Sequence, residues 1–517
     1  MRGSQTIAGS NRPWRHRAVL VLALTAAAGT GVSGCVRPDP LLDDEIAARV
    51  GADMAQMYAD QEPLNGPLGL HEAVARGLKY NLDKRLKMME LGLAKAGLRY
   101  KHMDMLPKLA AQAGWRARNR FRGSSSRSLI TGNQSLEVST SEDKRVRYGD
   151  LQLVWNLLDF GLTYLRVRQE ADKVLIAEER RIKVTQNLVM DIRDAYWRAV
   201  AAQRLIPQIN RLIGEMARAI NRSRRMHRSG DGEPADELKL QRALLTHKRD
   251  MMEVRRKLSI AKGELASLIN LPPGTRFRVR VARHHSFAIP HLRGSIDAIE
   301  TAALSNRPEL REEDYKHRIS VTEVRAAYVR LLPGIELRVG RNYDSNSFLY
   351  DNYWSNAGAL LTKNLMELAT APVAIAYARQ DVKTAVARRR ALSMAVLAQV
   401  HIALHRYALA RDLFKVSSNI YRVDRQLSDI ATRGAAGSDR SDADALEARS
   451  RRLVSALRFY TAYADVQAAY GRILNSVGAH RYPQDIEEMD VKSLAKEIAS
   501  TIDDWHAPAP QWQVATR

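Results

Sequence analysis

The chain has 517 residues, a formal net charge of +24 and one cysteine, Cys35. A single cysteine excludes any intramolecular disulfide framework. So large a positive charge points to nucleic acid or an anionic surface as partner, and no apolar run after Cys35 is long enough for a membrane-spanning helix; the longest, Ala391–Leu404, is short and holds His401.

In chain order, residues 1–17 carry Arg2, Arg12, Arg15 and Arg17 and no acid, and residues 18–28 (AVLVLALTAAA) are almost wholly apolar. Small residues then lead to Val32-Ser33-Gly34-Cys35. A basic start, a short apolar core and a small-residue site make residues 1–34 a secretory signal peptide. VSGC resembles a bacterial lipobox, which implies that Cys35 is diacylated and becomes the mature N-terminus. Val36 follows it instead of an aspartate retention signal, so sorting to the outer membrane is expected. An exported chain rarely meets nucleic acid, and that partner is not expected. Residues 35–67 form a lipidated extension.

Helical patterning then covers 70–80 and 82–106, and strand patterning covers 109–119 and 148–158 around a loop rich in Ser, Gly and Asn. A very long helical segment, 161–226, broken only by Pro207, leads to the turn SGDGEPAD (229–236) and a further helix to 270. Leu271-Pro272-Pro273-Gly274 closes this unit. The same parts return at 296–331, 335–343, 353–363, 371–432 and 442–477. Asn156-Leu157 matches Asn364-Leu365, Ala195 matches Ala403, Asp236 matches Asp444, Leu238 matches Leu446 and Gly263 matches Gly471, each 208 apart. Upstream, Asn81 matches Asn306 at 225, and Leu106-Pro107 matches Leu332-Pro333 at 226. The chain is therefore a tandem repeat: 68–274 and 296–478, joined by a linker, 275–295, and followed by a tail, 479–517, with one amphipathic stretch near 490–504.

A helix of the length of 161–226 would run roughly 100 Å, longer than a globular core can wrap. Helices 82–106 and 235–270 laid end to end nearly match it. One long helix beside two shorter ones in line is expected, twice over. The strands alternate with period two: Leu109, Ala111, Ala113 and Trp115; Leu151, Leu153, Trp155 and Leu157; Ile335, Leu337 and Val339; Tyr353, Ala357, Ala359 and Leu361. Strands of about 9–11 residues span a bilayer. Four cannot enclose a water-filled pore, and open edges are not tolerated in lipid. If these strands span a membrane, several chains share one barrel, and three chains would supply twelve strands. The soluble alternative is a small sheet packed on the helices.

These parts resemble the TolC-like outer-membrane efflux family over roughly residues 68–478. LGLHEAVARGLKYN (68–81) is similar to its first helix, YGDLQLVWNLLDFG (148–161) to its strand into long helix, and SGDGEPADELKLQRALL (229–245) to its helical-hairpin tip, before LINLPPG. The resemblance implies a mainly α fold with a small membrane β part, a homotrimer with a shared twelve-strand barrel, and a helical periplasmic tunnel. It implies a passive exit duct for an inner-membrane pump, joined through a periplasmic adaptor, in efflux or type I secretion. The lipid on Cys35 puts the chain with the lipoprotein members. The family closes its periplasmic end by polar contacts between hairpin tips. By position, Gly230 matches the first tip's glycine and Asp236 its acid after the turn, while Arg440, Asp444 and Glu447 (RSDADALE) match the basic residue and two acids of the second tip. The tyrosine the family often places upstream aligns near Ala435. Helix capping is an equal reading for Asp236 and Asp444.

Two other classes compete. No P-loop, GxSxG, HExxH or cysteine nucleophile marks an enzyme, and His284-His285 reads as a surface pair instead of a metal site. No cofactor is expected beyond the lipid on Cys35. A lipid-anchored coiled-coil scaffold without a pore would explain the helices but not alternating strands at the same place in both copies.

Overall fold

The computed structural model describes residues 40–229, 234–280, 287–292, 294–434, 439–478, 482–483 and 486–503. The chain divides into two units, 1–59 and 60–517. The described part of the first is one exposed helix, α1 (Asp43–Met57), with three acids in its first turn and Leu42 N donating to Glu45 Oε2 at 3.0 Å.

The second unit opens with α2 (Leu70–Tyr80) and α3 (Leu82–Met103), then β1 (Lys108–Ala117) and β2 (Arg145–Asn156). The helices α4 (Leu157–Ser229), α5 (Pro234–Ser259) and α6 (Ala261–Leu268) complete the first copy. The second copy has α7 (Ile296–Asn306), α8 (Pro308–Val329), β3 (Gly334–Asp344), β4 (Tyr353–Thr362), α9 (Leu365–Gly434) and α10 (Asp439–Val477); α11 (Val491–Asp503) follows.

Matched capping residues start the matched long helices. Asn156 Oδ1 accepts from the N–H of Leu158 and of Asp159, both at 3.1 Å, and Asn364 Oδ1 accepts from Met366 N at 3.0 Å. A cap of this kind satisfies backbone donors that a helix start leaves unpaired. Upstream the match shifts by one residue from the sequence expectation. The helices α2 and α7 both have 11 residues, and α3 and α8 both have 22. Arg307, not Asn306, therefore stands opposite Asn81. Asn81 caps α3 through Lys84 N at 3.1 Å, whereas Arg307 gives no side-chain cap and Pro308 occupies the first turn of α8.

The long helix α4 has 73 residues and continues through Pro207, which was expected to break it. Proline removes one backbone bond there. The flanking Ala202, Leu205, Ile209 and Leu212 are buried in a shared core with Leu453 and Ala456 of α10, and that packing carries the helix across. The helix α9 likewise starts at Leu365 and contains Pro372. The expected start at 371 gave too much weight to the proline and too little to the Asn364 cap.

Packing follows the expected scheme of one long helix beside two shorter ones. Toward the sheet, α3 packs on α4, α4 on α8 and α8 on α9. Toward the hairpin tips, α5 packs on α4, α4 on α10 and α10 on α9. The result is a layer of helices with α3 and α5 along one edge and α9 along the other. Between the two zones, α11 docks through Leu494 and Ile498 onto the core of α2, α4 and α6, around Leu78, Ile192 and Leu265. Glu62 locks this corner. It accepts from Lys79 Nζ at 2.9 Å and from Val491 N at 3.1 Å. Burial would raise the Glu62 carboxyl, but these bonds, the Lys79 charge and the Tyr80 hydroxyl outweigh it and hold it below the usual carboxylate range.

Candidate functional site

The four strands form one antiparallel sheet in the order β1-β2-β3-β4, so β1 and β4 are its edges. The register aligns the alternating residues in rows. Leu109 lies opposite Leu153, Leu153 opposite Val339, and Val339 opposite Ala357. Trp155, Leu337 and Ala359 form the next row, and Ile335 faces Leu361. The sequence alternation thus sums to one continuous apolar face, across both copies.

That face is on the outside. Leu109 is 67% exposed, Val339 56% and Leu361 67%, whereas Asn342 on the opposite face is only 6% exposed. The opposite face is polar: Lys108, Gln112, Gln152, Asp150, Arg338, Asn342 and Asn356. With its nitrogen as donor, the Asn342 amide reaches Asp150 Oδ1 at 3.0 Å, and its oxygen accepts from Trp354 Nε1 at 3.2 Å. The soluble alternative, a sheet resting its apolar side on the helices, is not what forms. A polar side and an exposed apolar side are the pattern of a sheet that lines water and faces lipid.

The second candidate is the tip region. Gly230 lies outside the described residues, as do the side chains of Asp236 and Arg440; Ala435, Cys35 and His284-His285 are outside them too. Asp236 is the third residue of α5. Asp444 is exposed and sits more than a turn inside α10, which begins at Asp439, so it is not a cap. Glu447 is bonded to Arg451 on its own helix and lies 4.0 Å from His247 Nε2 of α5. Its charge is already offset within the chain.

Among the described residues, several that the sequence did not flag bridge neighbouring helices near the tip. Arg449 of α10 pairs with Glu215 of α4 at 2.6 Å, and Arg452 of α10 pairs with Asp429 of α9 at 3.1 Å. Ser223 of α4 donates to Glu237 of α5 at 2.6 Å. Each neighbouring pair of helices therefore has a polar tie beside the apolar core of Met216, Leu244 and Leu446. Exposed ties of this kind contribute about 0–1 kcal/mol each, enough to set register but not to hold the hairpins alone. Partners on separate helices have no sequence spacing that would reveal them.

Among the described residues, no group of His, Cys, Asp and Glu is arranged to hold a metal, and no helix is long and apolar enough to cross a membrane.

Residues 89–271 match the outer membrane efflux protein family. No protein of curated function matches the chain. Among solved structures, the CmeC outer membrane channel of Campylobacter jejuni is similar with a TM-score of 0.64 at 15% identity, over 90% of this chain and 97% of that one. CusC matches with a TM-score of 0.61 at 16% identity, over 82% of this chain and 96% of that one. The MtrE outer membrane channel of Neisseria gonorrhoeae, solved in an open state, matches with a TM-score of 0.57 at 17% identity, over 80% and 94%. These likenesses fix the fold over nearly the whole of each relative. The match over residues 89–271 and the shared fold make the chain similar to outer membrane efflux proteins and their channel structures.

Proposed function

We propose that three copies of this chain assemble into an exit duct, with a twelve-strand barrel in the outer membrane and a helical tunnel in the periplasm. The duct passes cargo from an inner-membrane pump through a periplasmic adaptor, and a lipid on Cys35 adds a second anchor. Dual acylation anchors a chain stably, so the lipid would hold the chain at the membrane beside the barrel.

The observation that carries this reading is a pair of unpartnered edges. The sheet has open edges at β1 and β4, which lipid does not tolerate. The helical layer has open edges of its own. On α9, Leu409, Leu413, Val416, Ile420, Val423, Leu427 and Ile430 are all 43–62% exposed, at alternating spacings of four and three. On the other edge, Leu86, Met89, Leu93, Tyr100 and Met103 of α3, and Leu238, Leu245 and Met252 of α5, are 45–74% exposed at similar spacings. Such heptad seams mark helices that expect a neighbour. The two edges differ, so like cannot pair with like. They fit head to tail, and such contacts close into a ring when the rotation allows.

The test is direct. Purified protein in planar bilayers should give discrete conductance steps and migrate as a trimer without heating. A monomer in native mass spectrometry that leaves bilayers silent would exclude the duct and leave the lipid-anchored scaffold. For the anchor, palmitate labelling should be lost in Cys35→Ser while part of the membrane insertion remains.

A further inference from the structure

The apolar face of the sheet is not uniformly apolar. At its loop end the register places Arg147 opposite Trp115, Arg145 opposite Ala117, and Arg341 opposite Leu151 and Ser355. All three arginines are exposed. Among the described residues none of them forms an ion pair. The arginines of the polar side behave differently: Arg116 and Arg118 reach Glu142 at 3.1 and 3.9 Å, and Arg338 pairs with Glu336. Tyr343 and Tyr353 share the arginines' face, with ring centroids 4.7 Å apart.

A cation on the lipid side is costly at the membrane midplane and nearly free at the interface. Aromatic rings of the kind that mark the interface stand among them: Trp115 is opposite Arg147, and Tyr343 and Tyr353 lie in the row between Arg147 and Arg341. The arginines therefore lie at headgroup level. The long connection 118–144 follows β1 at this end, and long loops of membrane barrels face the cell exterior.

Resting on the channel reading above, we propose that Arg145, Arg147 and Arg341 form a belt that binds the phosphates of anionic lipids in the outer leaflet. The planar guanidinium fits phosphate oxygens in pairs, and an arginine at such a surface is worth about a fivefold preference. The acyl chains of the same lipid would cover Leu153 and Val339 in the row just below Arg341. The occupant is a lipid and not a free anion, because the cations are continuous with the apolar face.

The experiment uses the full chain reconstituted in nanodiscs of phosphatidylcholine and phosphatidylglycerol, with bound lipid read by mass spectrometry after gentle release. Wild type should enrich phosphatidylglycerol. Arg145→Gln with Arg147→Gln and Arg341→Gln should lose that enrichment at least fivefold, and Arg341→Gln alone should lose part of it. The triple lysine variant should keep most of it, which separates charge from folding. Arg116→Gln with Arg118→Gln, on the polar side, should keep it fully, and inorganic phosphate should not compete. Equal enrichment in the triple glutamine variant, equal loss in the polar-side variant, or competition by inorganic phosphate would each overturn the belt. Conductance is recorded on the same samples: a wild type that conducts but shows no lipid preference sinks the belt alone, and one that never conducts sinks the channel reading.

Discussion

The docking zone of α11 and the β-sheet are built from equally amphipathic elements and bury opposite sides. Around α2, the side chains of Leu78, Ile192, Leu265 and Leu494 are wholly inaccessible. In the sheet the leucines face outward and Asn342 is hidden. Hydrophobic burial acts in both, but in the proposed channel the sheet's apolar side meets hydrocarbon where the helices' meets protein. Alternation or helical period alone says that two faces differ. It does not say which face is inside; the surrounding solvent decides that.

Substitutions should separate the two regions. In the helical zone, Ile192→Ala leaves a cavity against α2, where the Ile192 Cδ1 methyl approaches Gly77 closely. It should cost about 2–5 kcal/mol, read from denaturant unfolding. In the sheet, Val339→Arg puts a charge in the middle of the lipid face and should cost about 2–4 kcal/mol of insertion into vesicles. The same change at Gln152, one residue away from that face, should be nearly silent. Equal costs at Val339 and Gln152 would mean that neither side faces lipid.

Toward the hairpin tips, beyond the docking zone, lies the α9 seam. Leu413→Glu with Ile420→Glu should leave the monomer's helix content unchanged and remove the unheated trimer band. A smaller effect is expected at the Glu62 corner. A carboxyl held below its ordinary value stabilises above the unfolded pKa, and that contribution is lost as pH falls through the folded one. Acidification should therefore speed hydrogen exchange over 491–500 before the rest of the helices loosen, and Glu62→Gln should remove the pH dependence. No change in stability is expected from a short epitope inserted at Gly132, which takes a positive φ of 71° in the 118–144 loop. Antibody should reach it on intact cells.

Much of this was legible beforehand. Strand faces depend only on parity, and the lengths of paired helices follow from their period, so the sheet and the two-plus-one packing of helices could be read directly. Positions that depend on distant partners could not. Pro207 and Pro372 look like breaks until the buried neighbours of the helix are known. The amphipathic stretch near 490–504 read as a tail because its acceptor, Glu62, lies over 400 residues away in sequence. The approach of Glu447 to His247 of α5 has no signature in the sequence either. The α9 seam was not picked out, because it runs beside a second seam, Val396, Val400, Ala403, Tyr407, Ala410 and Phe414, that packs on α10. Two interleaved heptads blur into one broadly apolar helix.

The unlike edges of the helical layer also have a genetic consequence. In a ring closed head to tail, every subunit offers α9 to one neighbour and α3 with α5 to the other. A subunit damaged on one edge still recruits a partner through the other, then leaves the ring open. Co-expressed with the wild type, an α9-edge variant should therefore poison mixed assemblies and behave as dominant. A variant that never folds has no edge to offer and should be recessive.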